Sequence, residues 1–201
     1  MVRNPAGENT EKRTQIADAA LKIIGTKGIA ELTMVNLAQE LGVSPGAPFR
    51  HFKSRDEILM EVGRRVAELV GATFPDPALP PLERLKGLFL ARTEVLGKES
   101  GLARLIFSDQ FAKALPPEAA AQIHRIVKQT RTYLLQILKD AAAAGLVRRD
   151  IPAEDLLVPV IGTLQHLGFL TAVTADRTGF PRPEAARVLT TLLALLSPVP
   201  T

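Results

Sequence analysis

Cysteine and tryptophan are absent from this chain, and it holds one tyrosine and only three histidines. Without cysteine, disulfide staples and thiolate chemistry are excluded, and a reducing compartment suits the chain. His51, His124 and His166 stand far apart, with no H-x-x-x-H or similar ligand spacing, so neither a metal site nor a cofactor is expected. No Gly-rich phosphate loop and no nucleophile elbow occur. Asp109, His124 and His166 are the candidates for a catalytic cluster, but they read more simply as polar groups satisfied in a helical core. An enzyme is not expected. No apolar run reaches the roughly 20 residues of a spanning helix and no leader-like run is present, so the sequence reads as cytoplasmic with no membrane partner. An excess of one charge is lacking too. Residues 1–74 carry 10 Lys/Arg against 9 Asp/Glu, and the remainder 15 against 12. Bulk charge is therefore a statement about solubility only.

What is present is helical material. Hydrophobic residues make up 46% of the chain, with Ala and Leu abundant, which favours packed helices over sheet. The most informative stretch is Leu32 to Phe52. Thr33 is a good N-cap. Met34, Leu37, Ala38 and Leu41 recur at helical spacing, so one face packs inward. Gly42 sits where a helix ends in a left-handed residue, and Val43 reads as an apolar plug in the turn. Ser44 caps again, with Pro45 at the first position of a second helix. This is the layout of a helix-turn-helix. Small residues, Ser44 to Ala47, lead the second helix. Arg50, His51, Lys53 and Arg55 follow with no acid among them, a cluster suited to a phosphate backbone.

Residues 14–62 resemble the DNA-binding domain of TetR-family transcriptional regulators. The resemblance is carried by Ile16, Ala19, Ala20, Ile24 and Lys27-Gly28, then Leu32-Thr33-Met34, Leu37-Ala38 and Leu41-Gly42-Val43-Ser44. Phe49-Arg50-His51-Phe52 and Ser54-Arg55-Asp56-Glu57-Ile58-Leu59 complete it. Three positions depart from the family pattern: Phe49 replaces a usual Tyr, Pro45 an often polar residue, and Pro48 lies inside the recognition helix, where it deletes a hydrogen bond. The resemblance implies an all-α fold, an N-terminal three-helix DNA-binding domain with a C-terminal helical bundle for ligand binding and dimerisation. It also implies double-stranded DNA with a palindromic operator, a second copy of the chain and a small-molecule effector as partners. Backbone contacts fall to Thr33, Phe49 (by packing), Arg50, His51 and Lys53, and base-edge approach to Ser44, Pro45, Gly46 and Ala47. A repressor is favoured over an activator. A protein-interaction module or an enzyme with a vestigial head are the alternatives.

Along the chain, residues 1–10 read as a disordered arm and 11–72 as the DNA-binding domain. Its first helix runs from about Thr10 to Thr26, with Lys12 and Arg13 exposed, and Ser54-x-x-Glu57 is a capping box for a helix to about Val70. Residues 73–81, rich in proline, read as a linker, and 82–201 as the effector-binding and dimerisation domain. Helices are expected over 82–97, 101–112, 117–144, 153–173 (kinked at Pro159) and 184–196, with a loop over 174–183.

The last two helices are apolar on more than one side. Burying both is easier against a second copy, which nominates Leu157, Ile161, Leu164, Gly168, Val188, Leu192 and Leu195 for a dimer interface. Sparse polar groups in apolar company nominate Phe89, Phe107, Phe111, His124, Tyr133, Gln165, His166 and Phe169 for an effector pocket; for each aromatic the competing reading is ordinary core packing.

Overall fold

In a computed structural model of the chain, residues 5–107, 113–172 and 183–199 are described. Residues 1–4 of the expected arm, Asp109, Phe111 and residues 174–182 of the expected loop lie outside them. The described residues form eight α-helices and two short 3-10 turns, with no strand.

The first helix, α1 (Pro5–Thr26), begins within the expected arm. Proline at a first helical position loses nothing by its missing N–H, and Asn9 is tied down, its Oδ1 3.0 Å from His51 Nδ1. Gly28, at φ 98°, closes the helix, its N–H shared between the carbonyls of Ile23 and Ile24. After a 3-10 turn (Ile29–Glu31) comes α2 (Met34–Leu41). Thr33 Oγ1 accepts the Asn36 N–H at 3.1 Å. Gly42 adopts φ 67°, and the Val43 N–H returns to Ala38 O at 3.0 Å.

The expected second helix does not form. Between Ser44 and His51 the chain makes turns and a single 3-10 segment, Pro48–Arg50. The Ala47, Arg50 and His51 N–H groups reach the carbonyls three residues back, of Ser44, Ala47 and Pro48. Proline 48 is the physical reason. It has no N–H for the Ser44 carbonyl, and its ring crowds the carbonyl four residues earlier. Its ring is buried, which anchors the tighter winding.

α3 (Arg55–Gly71) starts on the expected cap: Ser54 Oγ accepts the Glu57 N–H at 3.2 Å. Glu57 reaches one residue further back than a standard box, accepting the Lys53 N–H at 2.8 Å. Then follow α4 (Pro81–Lys98), α5 (Ser100–Phe107), α6 (Pro117–Ala143), α7 (Ala153–Ala172) and α8 (Ala185–Leu196).

Two compact units result, and they are not the linear halves expected from the Pro-rich stretch. One comprises residues 1–69 and 99–125, the other 70–98 and 126–201. In the first, Ile16, Ala20, Leu21, Ile23 and Ile24 are buried together with Leu37, Phe52, Leu59, Val62 and Val66. Helix α5 joins this unit because Gly101 permits it: an added Cβ there would lie 2.0 Å from Leu21 O. In the second unit one apolar cluster holds Leu85, Leu88 and Phe89 of α4, Leu134, Ile137 and Leu138 of α6, and the inner residues of α7 and α8. Residues 73–81 are non-helical as expected but do not hang free. Tyr133 Oη donates to Pro75 O at 3.1 Å, and Phe74 meets the Tyr133 ring edge-on at 5.1 Å. Pro159 lies inside α7, and the helix runs through it to Ala172. Gly145, at φ 71°, terminates α6, with the Leu146 N–H on Ala141 O at 2.9 Å.

Candidate nucleic-acid interface and effector unit

The reading segment, Ser44 to Lys53, lies on the surface. Ser44, Pro45, Gly46, Phe49, Arg50 and Lys53 are exposed, while Ala47 and His51 are half-buried. Thr33 is exposed beside it, with its hydroxyl already serving as a helix cap. Phe49 is 54% exposed, so it does not act through packing within the fold. Val43 is 45% exposed and does not plug the turn; Met34 and Leu41 are only half-buried. Val35, which the sequence pattern did not single out, is 64% exposed next to Thr33. Three exposed apolar side chains therefore accompany the basic ones.

The cations sort into two groups. Arg55 is committed internally: its Nη2 donates to Ile29 O at 2.7 Å and its Nε to Leu32 O at 3.0 Å. Arg13, expected to be exposed, is half-buried and pairs with Glu61 at 2.9 Å. Its Nη1 donates to His51 O at 2.9 Å, and its guanidinium lies 4.1 Å over the Phe52 ring. It thus clamps the end of the reading segment. An Arg–Glu pair 48 residues apart leaves no periodic signature in sequence, so only the fold reveals it. Arg64 completes the cluster, its Nε 2.6 Å from Glu61 Oε1. Burial raises the Glu61 carboxyl, but the hydrogen bonds and charges of Arg13 and Arg64 together hold it below the usual carboxylate value. Among the described residues, the Arg50 and Lys53 side chains have no protein partner. They are the cations of this segment that remain exposed.

The residues nominated for a pocket do not converge. Phe107 and His124 belong to the first unit and are exposed. Phe89, Tyr133, Gln165, His166 and Phe169 belong to the second. Of these Phe89 is fully buried in the core, where it fills space, and Tyr133 is half-buried. Gln165 and His166 are exposed, and the His166 ring stacks on the half-exposed Phe169 at 6.5 Å. The apolar period could not distinguish a lining residue from a packed one.

The interface nominations divide similarly. Leu157, Leu164 and Leu192 are buried in their own unit's core, and Gly168 faces Leu96, whose Cδ1 would lie 2.5 Å from an added Cβ. Ile161 and Val188 are half-buried and Leu195 is 68% exposed. Val158, at 68%, and Phe169, at 52%, extend the exposed apolar surface of α7. On both helices the apolar pattern mixed inward residues, Leu157, Leu164 and Leu192, with outward ones, Ile161, Val188 and Leu195.

A family model described as "Bacterial regulatory proteins, tetR family" matches residues 16–62. The HTH-type transcriptional repressor KstR2 of Mycobacterium tuberculosis (strain ATCC 25618 / H37Rv) is 24% identical over 152 residues, spanning 74% of this chain and 76% of that protein. The solved structure of the ketosteroid transcriptional regulator KstR2 of Mycobacterium tuberculosis superposes with a TM-score of 0.73 at 20% identity, covering 92% of this chain and 95% of the other. That of AibR in complex with isovaleryl coenzyme A and operator DNA has a TM-score of 0.72 at 15% identity, covering 92% and 97%. At these identities the solved structures establish a shared fold.

Proposed function

We propose that the chain is a DNA-binding transcriptional regulator of the tetR family, supported by the family match over residues 16–62 and the likeness to the repressor KstR2, and that its own residues do the work as follows. It is a repressor that binds operator DNA as a homodimer and answers to a small-molecule ligand. The observation that carries the DNA-contact assignment is the sorting of cations. Arg13 is consumed in holding the His51 carbonyl and Arg55 in holding the Ile29 and Leu32 carbonyls before α2, while among the described residues Arg50 and Lys53 project from the reading segment unpaired. Arg50 and Lys53 take phosphates, Thr33 and His51 lie beside the backbone, and the small residues Ser44 to Ala47 allow close approach to base edges. The 3-10 winding brings Phe49 outward as an apolar contact.

The dimer surface is assigned to Val158, Ile161, Phe169, Val188 and Leu195, the side chains that α7 and α8 leave uncovered. A two-fold dimer presents its reading segments to successive major-groove faces of a palindrome. An effector held by the second unit shifts the population from the DNA-competent state, and linkage makes effector and operator mutually antagonistic. The work is cytoplasmic.

Selection of an operator from random duplexes, followed by fluorescence anisotropy across a salt series, tests the assignment. Arg50→Ala and Lys53→Ala should each weaken binding to every sequence and lower the salt slope by about 1. An unchanged slope removes that residue from the interface.

A further inference from the structure

Arginine 92 on α4 is 5% exposed, yet no carboxylate among the described residues meets it. The other buried arginine of α4 is different: Arg84 pairs with Asp140 at 2.6 Å. Arg92 has only neutral acceptors. Its Nε donates to Thr73 Oγ1 at 2.8 Å, Nη1 to Thr130 Oγ1 at 3.2 Å and Nη2 to Val70 O at 3.2 Å. Both hydroxyls spend their own protons elsewhere, Thr73 on Val70 O and Thr130 on Ile126 O. They therefore offer lone pairs to the cation and can donate nothing. Phe74 stands 5.5 Å from the guanidinium and Tyr133 packs against Phe74. Burial alone lowers the Arg92 pKa to about 10, which leaves it charged at neutral pH.

A guanidinium has five N–H groups in a planar fork. Three are used here, which leaves one on Nη1 and one on Nη2 with no protein acceptor among the described residues. A buried cation is ordinarily compensated by an opposite charge. The Phe74–Tyr133 pair lies on one side of the guanidinium, and the fork matches a planar anion bidentately. We propose that Arg92 is the anchor for the carboxylate of an amphipathic, acidic effector, taken on the free Nη1 and Nη2 N–H groups within the second unit. This rests on the effector-regulated reading and names the chemical class of the effector. One of the neutral partners, Val70 O, lies in the last turn of α3, the helix that opens directly after the reading segment. A carboxylate arriving on the free N–H groups draws the guanidinium toward itself and so loads its hydrogen bond to that carbonyl.

Titration calorimetry with decanoate, decanol and decyl phosphate on the full chain tests the assignment, with operator affinity measured in parallel. Wild-type protein should prefer decanoate to decanol by about ten- to a hundredfold. Arg92→Gln should reduce that ratio to about one, while Arg131→Gln, an exposed change on α6, should keep it. Comparable binding of acid and alcohol, no binding of decanoate, or a retained preference in Arg92→Gln overturns the proposal. Tighter binding of decyl phosphate than of decanoate replaces the carboxylate by a phosphoryl group and overturns the class. Should Arg92→Gln fail to fold, Arg92→Lys is read instead. It keeps the charge and loses the fork, so the preference should fall several-fold, and an unchanged ratio refutes the anchor. If decanoate binds through Arg92 but operator affinity does not respond, the anchor stands and the effector-release reading fails.

Discussion

Glu61 shows how one side chain organises the DNA-contacting unit. It is buried and receives Arg13 and Arg64, and Arg13 in turn holds the His51 carbonyl at the end of the reading segment. Its carboxyl is held below the ordinary 4.5, despite burial, by those two arginines. A depressed acid contributes stability that is fully present above its unfolded value and is lost as pH falls through the lower folded value. Glu61→Gln should therefore destabilise the protein by about 1–3 kcal/mol at pH 7. The difference from wild type should shrink in denaturant titrations repeated below the ordinary carboxylate value. A deficit independent of pH would assign the loss to packing and not to charge. Operator affinity should fall too, since Arg13 loses the partner that orients it.

At the scale of elements, two positions decide what the periodicity of apolar residues cannot. Gly101 lets α5 approach the α1 backbone, with only 2.0 Å between a hypothetical Cβ and Leu21 O. Backbone cannot step aside as a side-chain tip can, so Gly101→Ala should cost about 2 kcal/mol or more in chemical denaturation. Gly162 on α7 has nothing within 4 Å of its hypothetical Cβ. Gly162→Ala should instead be neutral or stabilise by up to about 1 kcal/mol through helix propensity, if a partner copy leaves that spot open. Equal losses at the two positions would contradict the packing of α5.

Pro48 is the second. Caps and apolar spacing correctly placed the end of α1, α2 and the start of α3, because capping needs only residues within about four positions of one another. Thr33, Gly42 and Ser54 all perform as read. The reading segment differs because proline at position 48 breaks the ladder that Ser44 and Pro45 begin. The proline was visible; that its ring would bury and hold a 3-10 winding was not, since burial depends on distant residues.

For the whole molecule, the uncovered apolar surface of α7 and α8 and the assembly state belong together. Leu195→Glu places a charge on a side chain that is 68% exposed in the single chain, so the chain itself has no reason to unfold. Sedimentation equilibrium should find a monomer, and operator affinity should fall at least about a hundredfold because one reading head alone loses half of the phosphate contacts. Leu192→Ala is the contrasting change. Buried in the unit's own core, it should cost about 2–4 kcal/mol of stability. A Leu195→Glu protein that remains dimeric would move the interface elsewhere.

Helical class, the first helix and turn of the expected helix-turn-helix, the basic residues of the reading segment and the resemblance to tetR-family regulators were legible in the sequence, because each depends on residues close together along the chain. Local hydrogen bonds and the 3.6-residue period write those features into short windows. Tertiary structure alone decided the rest. It set which cations are spent, Arg13 and Arg55, and which have no partner among the described residues, Arg50 and Lys53. It drew α5 out of the expected C-terminal domain and into the first unit, and it separated Leu157, Leu164 and Leu192, in the core, from Val158 and Leu195, on the surface. It also left Arg92 buried without a counter-charge among the described residues. Each of these depends on pairs of residues dozens of positions apart, and an apolar stripe on a helix says that a face is covered without saying by what.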